Sequence, residues 1–311
     1  MIALLFPGQG SQAIGMGCDL YDAYPAAREV FDQASEVLGY DLSGVCRVGS
    51  AAELARTAVT QPALLAHSVA ALRVLVAGGL TFDAALGHSL GEYTALVATG
   101  ALGLRDALVL VKARGEAMAA AAARHPGVMV AVLGLDGDAV EELCSGFDDA
   151  WPANFNCPGQ VVVSCAAAAA AALEEAARAA GARRVVRLAV SGAFHSPLLA
   201  SAAAALHDPL AAAAWSRPSP AFFSTCSAAF EHDGFAALLE RQLVSPVRFE
   251  ASIRRLSAAG YNAYLEVGPG AVLTGLVRRI DGSAATATAG DVGTLAGALD
   301  GGWSRSGEAD R

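Results

Sequence analysis

Short apolar runs alternate with longer segments whose apolar positions recur every three to four residues, the rhythm of a parallel sheet covered by helices. Ile2 to Phe6 predicts a buried strand that stops at Pro7-Gly8-Gln9-Gly10-Ser11-Gln12, and helical periodicity follows at Ala26 to Leu38 and Pro62 to Ala77. Phe82 to Leu86 predicts a second strand, running into Gly87-His88-Ser89-Leu90-Gly91 and then a helix through Tyr93, Leu96 and Val97. A further helix spans about Leu104 to Ala122.

Between Arg124 and Val190 the rhythm changes. Strand (Val128 to Leu133), helix (Asp138 to Ser145), strand (Ala150 to Phe155), strand (Gln160 to Cys165), helix (Ala166 to Ala180) and strand (Arg183 to Val190) follow in turn. That order is βαββαβ, the ferredoxin-like split motif, so a small subdomain is expected as an insertion. The alanine run from Ala166 to Ala172 reads as helix, since alanine has the highest helix propensity and little side-chain entropy to lose. The larger unit resumes with a helix after Pro197, a strand at Ala221 to Ser224 and helices at Phe235 to Gln242 and Phe249 to Ala259. A strand at Ala263 to Val267 then ends at Gly268-Pro269-Gly270. The expected division is therefore 1–123 with 191–280 as a large α/β unit, 124–190 as the insertion, and 281–311 as a C-terminal helix near Thr294 to Leu299 with a frayed tail.

Composition narrows the function. With 311 residues, 54% hydrophobic and 16% charged, the chain can bury a substantial core. Its 21 basic against 30 acidic residues give a net charge of −9, and the basic residues are scattered, so no footprint for nucleic acid is present. Six cysteines lie far apart with no C-x-x-C pair, which argues against a zinc site or disulfide framework and for a reducing cytoplasm. No metal site is expected. The first ten residues lack a signal-peptide pattern, and the apolar stretch Ala63 to Leu80 is broken by His67 and Arg73, so no membrane span is expected.

The chemistry centres on Gly87-His88-Ser89-Leu90-Gly91. A nucleophile elbow holds its serine on a sharp strand-to-helix turn where larger neighbours would clash, and Gly87 and Gly91 supply that clearance. Ser89 is then exposed above the sheet, with the Leu90 N–H facing a developing oxyanion. The competing reading is an ordinary glycine-rich turn with a helix-capping serine. A serine nucleophile needs a base. Of six histidines, His195 sits in Ser191-Gly192-Ala193-Phe194-His195-Ser196-Pro197, where the chain re-enters the large unit; a purely structural histidine is the alternative. Arg114 lies on a helix face flanked by Leu110, Val111, Ala117 and Met118, so its guanidinium points into the interior. A buried arginine requires either a structural carboxylate or an anionic ligand. Gly8-Gln9-Gly10 fails as a phosphate loop, because no G-x-x-x-x-G-K-[ST] is present and Lys112 is the chain's single lysine. A tight loop placing Gln9 near the Ser89 oxyanion uses these residues better.

Taken in order, Phe6 to Gln12, Gln61-Pro62-Ala63, Gly87 to Glu92, Arg114-Gly115, Asn154-Phe155-Asn156, Phe194-His195-Ser196 and Glu266 to Gly270 resemble the malonyl-CoA:acyl carrier protein transacylase family over about residues 1 to 280. The resemblance implies a hydrolase-like parallel-sheet large subdomain with an inserted ferredoxin-like small subdomain and a site in the cleft between them. It implies Ser89 as nucleophile, His195 as base, Gln9 and Leu90 as oxyanion hole, and Arg114 as partner of the substrate's free carboxylate. Gln61 falls near the acyl pocket, and Gln242 matches a residue that orients the histidine through its backbone carbonyl. Leu90 and Phe194 resemble malonyl-selective members, whereas Phe222 to Cys226 looks closer to polyketide acyltransferases. The implied reaction is acyl-carrier-protein S-malonyltransfer from malonyl-CoA, as a monomer, with no cofactor and an acyl carrier protein as partner. Carrier-bound thioester hydrolysis and noncatalytic carrier docking are the alternatives.

Overall fold

The computed structural model describes residues 1–301 and 303. Its strands in chain order are β1 (Ile2–Phe6), β2 (Ala84–Gly87), β3 (Gly127–Leu133), β4 (Ala150–Cys157), β5 (Gln160–Ala166), β6 (Arg184–Arg187), β7 (Ala221–Ser224), β8 (Ala229–Glu231), β9 (Ala263–Val267) and β10 (Ala285–Ala289). Six of them form one sheet in the order β10-β9-β1-β2-β7-β8, parallel throughout except for the antiparallel β7–β8 edge pair. β1 is central, and Ala3, Leu4, Leu5 and Phe6 are fully buried, as a strand covered on both faces requires. The other four form an antiparallel sheet in the order β4-β5-β3-β6, with the helices Gly137–Ser145 and Ala170–Ala179 between them in sequence. Strands one to four of that motif thus lie in the order 2-3-1-4, the ferredoxin-like arrangement. The α/β architecture, with a parallel-sheet core and a separate antiparallel sheet, is the one expected.

Four expectations need correction. The segment 281–311 is more than a helix and a tail. β10 extends the main sheet beside β9, Ala289 is buried, and the helix Val292–Asp300 begins with an Asp291–Thr294 capping box. Residues 302 and 304–311 of the expected tail lie outside the described residues. The expected strand Arg183 to Val190 shrinks to β6, and β2 begins at Ala84 rather than Phe82. The helix expected from Pro62 starts at Thr57 and carries Pro62 inside it. That helix, Thr57–Ala77, is long and apolar enough to cross a membrane, yet 89% of its most apolar window is buried in the protein. It is a core helix.

The helix Leu104–Arg124 packs on Thr57–Ala77 at a point where only glycine fits. A Cβ on Gly115 would lie 2.7 Å from Ala58 Cα and 3.0 Å from the Thr57 carbonyl oxygen. This close approach brings Arg114, one residue earlier, against Gln61, one turn further along the partner helix.

Candidate active site

Ser89 sits between β2 and the helix Gly91–Ala98 with φ 53°, a left-handed conformation rare for a residue with a side chain. The flanking glycines are obligatory. A Cβ on Gly87 would fall 1.9 Å from the Gly91 carbonyl carbon, and one on Gly91 would fall 2.0 Å from the Phe6 carbonyl oxygen. The strained turn is therefore locked between β1 and the helix start, as in a nucleophile elbow, and the simple capping-serine reading does not describe it.

His195, 4% exposed and also at positive φ (55°), reaches Ser89 Oγ through Nε2 at 2.7 Å. Its Nδ1 faces the Gln242 carbonyl at 3.0 Å and the Ser245 carbonyl at 3.2 Å. Carbonyls only accept, so Nδ1 carries the proton and Nε2 of the neutral ring is free to take one from Ser89. Burial first, and then the nearby Arg114 charge, pushes the His195 pKa down to about 3, which keeps the ring in this basic form. The loop is pinned by Ser164 Oγ donating to the Phe194 carbonyl and by Ser196 Oγ donating to the Ala193 carbonyl at 2.7 Å. Two carbonyls thus stand where a triad carboxylate would.

Arg114 is 1% exposed and takes part in no ion pair among the described residues. Nη1 donates to Gln61 Oε1 at 2.9 Å, and Nη2 donates to Ser89 Oγ and to Gln242 Oε1, both at 3.0 Å. Nε is buried with no acceptor among the described residues. Of the two possibilities left by the sequence, a structural carboxylate partner is not the one the structure contains. Gln61 is held in turn by donating from Nε2 to Met118 Sδ at 3.2 Å.

Gln9, Ser89, Leu90, Arg114, Phe194 and His195 line one cavity of about 90 Å³, room for about three waters. Gln9 Nε2 reaches Thr57 Oγ1 at 3.5 Å. His195 also lines a larger cavity of about 450 Å³ with Trp151, Phe155 and Val244, so its ring stands at the boundary between a small space and a roomier one. His88, adjacent to Ser89, donates from Nε2 to Asn156 Oδ1 at 3.0 Å and does not pair with Ser89. All eight residues singled out from the sequence are thus gathered around one point. The sequence reading gave no role to Glu92, to the Ser245 carbonyl or to the Gln242 side chain, although Glu92 closes the quoted serine block. Among the described residues no group of three His, Cys, Asp or Glu could hold a metal ion.

The sequence profile described as "Acyl transferase domain" matches residues 3–301. The malonyl CoA-acyl carrier protein transacylase of Bacillus subtilis (strain 168) is 43% identical over 94% of this chain and 95% of its own. That of Escherichia coli (strain K12) is 40% identical over 96% and 98%. Among solved structures, an MCAT from Streptococcus pneumoniae superposes with a TM-score of 0.92 at 42% identity, covering 97% of this chain and all of that one. A malonyl-transacylase in complex with its type II PKS acyl-carrier protein superposes with a TM-score of 0.94 at 38% identity, over 96% of this chain and 99% of that one. Agreement of this extent in sequence and in fold makes the chain a member of the acyl transferase domain family.

Proposed function

We propose that this protein transfers a malonyl group from CoA to the phosphopantetheine thiol of an acyl carrier protein through a malonyl-Ser89 intermediate. The observation that carries this reading is the pairing of Ser89 on His195 with a buried arginine that no protein carboxylate contacts directly among the described residues. In the first half-reaction Ser89 Oγ attacks the thioester carbonyl while its proton passes to His195 Nε2. The oxyanion faces the Leu90 N–H and Gln9, the C–S bond breaks, and the departing CoA sulfur takes the proton from His195. In the second half the carrier thiol gives its proton to His195 and its sulfur attacks the ester carbonyl; the C–O bond to Ser89 breaks, and Ser89 Oγ recovers the proton from His195. Arg114 holds the malonyl carboxylate throughout, with Gln61 and Gln242 fixing its orientation. Phe194 closes the pocket wall.

The same reading divides the chain at 123/124 and 190/191. All four strands of the antiparallel sheet lie inside those limits, and every strand of the six-stranded sheet lies outside. One chain supplies every site residue, in keeping with a monomer, and six free cysteines suit a reducing cytoplasm. A noncatalytic docking role leaves the intact Ser89–His195 pair unexplained, and an editing hydrolase of uncharged short acyl groups has no use for Arg114. Initial rates with malonyl-CoA and holo-carrier protein varied together should give parallel double-reciprocal lines. Intersecting lines, or hydrolysis outrunning transfer, would overturn the proposal.

A further inference from the structure

Arg114 is a fully buried cation whose three hydrogen-bond acceptors, Gln61, Ser89 and Gln242, are all neutral. One carboxylate reaches it through a single intervening amide. Glu92, in the first turn of the helix after Ser89, is 0% exposed, and its Oε2 accepts from Gln242 Nε2 at 2.7 Å. The second Nε2 hydrogen of Gln242 goes to the Ser89 carbonyl at 3.0 Å, which leaves Gln242 Oε1 facing Arg114 Nη2 at 3.0 Å. Every polar atom of that amide is thereby assigned, and rotating it by half a turn would set N–H against guanidinium and oxygen against carboxylate.

We propose that Glu92 is a positioning residue of the acyl-transfer site: it locks the Gln242 amide with its oxygen toward Arg114 and supplies the counter-charge that keeps this guanidinium ready for a substrate carboxylate. The proposal rests on the reading of Arg114 given above. Burial pushes the Glu92 carboxyl pKa up, and the hydrogen bonds it accepts from Thr225, Gln242 and Ser224 act in the opposite direction, toward the anion. Ser224 Oγ, Thr225 N and Cys226 N all donate to its Oε1, and Ser224 Oγ itself accepts from Cys226 N and Ser227 N, so its own hydrogen is free for Glu92. Burial lowers the Arg114 pKa, and a negative charge on Glu92 acts against that.

Replacing Glu92 by Gln keeps the volume and an acceptor for residues 224–226, but its NH2 then meets the Gln242 NH2. Gln242 must turn over, and Arg114 loses one of its three acceptors. The Gln242 main-chain carbonyl on His195 lies in the helix Phe235–Gln242 and is unaffected, so the chemical step on an uncharged acyl group should survive. Glu92→Gln should lower kcat/KM for malonyl-CoA by about ten- to a hundredfold, the range for losing a hydrogen bond to a charged group, with acetyl-CoA affected several times less. The reciprocal pair Glu92→Gln with Gln242→Glu restores both an acceptor for Arg114 and a buried anion, and should recover most of the malonyl-to-acetyl ratio. An unchanged ratio in folded Glu92→Gln, or a double variant no better than the single, would overturn the proposal, because a merely structural Glu92 would lower both substrates alike. Should Glu92→Gln fail to fold, Gln242→Leu removes the bridge while leaving Glu92 its donors from 224–226; an unchanged ratio there overturns the proposal equally. Arg114→Ala separates the two readings: if it leaves the ratio unchanged, the carboxylate assignment itself fails, whereas a collapse there with no effect of Glu92→Gln removes Glu92 alone.

Discussion

At the scale of single residues, the site is a set of groups that lack their ordinary partners. His195 has two carbonyls in place of a carboxylate, and Arg114 has amides and a hydroxyl in place of an anion. Truncating one partner of a buried charge pair costs about 2 to 5 kcal/mol, roughly thirtyfold to several-thousandfold in rate. Arg114→Ala should therefore lose most malonyl transfer while retaining or gaining activity toward acetyl-CoA, and Arg114→Lys should recover only part, because an ammonium cannot reproduce the guanidinium fork. Measured kcat/KM for both thioesters decides it. The Arg114 charge also holds the His195 pKa down, so a carboxylate on Arg114 raises it. The acid limb of the pH profile of kcat should lie at higher pH for malonyl-CoA than for acetyl-CoA; identical limbs would mean that the acyl carboxylate sits elsewhere. Ser89 was legible in the sequence because its turn demands glycines at two fixed positions. Arg114 was legible as buried, but its partners come from helices far apart in the chain, and helical periodicity carries no information about those.

Among the elements, the helix pair Thr57–Ala77 and Leu104–Arg124 sets the position of Arg114 against Gln61. Gly→Ala within a helix ordinarily gains up to about 1 kcal/mol. At Gly115 the new methyl would meet backbone atoms of Thr57 and Ala58, which cannot swing aside. Overpacking of this kind costs about 1 to 3 kcal/mol. Gly115→Ala should therefore lower the denaturation midpoint and weaken malonyl selectivity together, and a stabilised variant with unchanged selectivity would contradict the role given to this contact. The βαββαβ order was readable because β3, β5 and β6 are rich in valine and the helix Ala170–Ala179 in alanine, each pattern agreeing with its local propensity. β10, Ala-Thr-Ala-Thr-Ala, was not, since small residues at a sheet edge offer little apolar contrast, and its pairing with β9 decides its conformation. The helix Val272–Ile280 was missed for another reason: it follows a glycine-proline-glycine stop with alanine at the cap position, and its first N–H groups are satisfied instead by Glu266 of β9.

Across the whole molecule, two histidines are buried neutral. Burial pulls His67 down to about 4 and His195 to about 3, and His88, half-buried, shifts in the same direction. Because these folded-state values lie below the unfolded value near 6.5, the unfolded chain binds more protons on acidification. Their contribution is complete above about pH 6.5 and is lost as the pH falls toward the folded values, at roughly 1.4 kcal/mol per pH unit for each. The exposed His207 is raised by Glu240 and acts in the opposite sense, but as a screened surface pair it weighs little. Unfolding free energy measured between pH 6.5 and 5 should thus fall steeply, and His67→Gln should flatten that slope if the variant folds. A flat profile would contradict the buried neutral state. The strand order of the main sheet, with β1 at the centre and β10 at the edge, was beyond the sequence, because the β1–β9 and β2–β7 pairings that set it join segments more than a hundred residues apart.

The central claim is a covalent malonyl ester on Ser89, and trapping tests it most directly. Protein incubated with radiolabelled malonyl-CoA and no acceptor should carry one label per chain in the peptide containing Ser89, stable until holo-carrier protein is added and then transferred to it. Labelling of a folded Ser89→Ala variant at the same stoichiometry, or a label on the wild-type protein that the carrier thiol does not remove, would contradict the account.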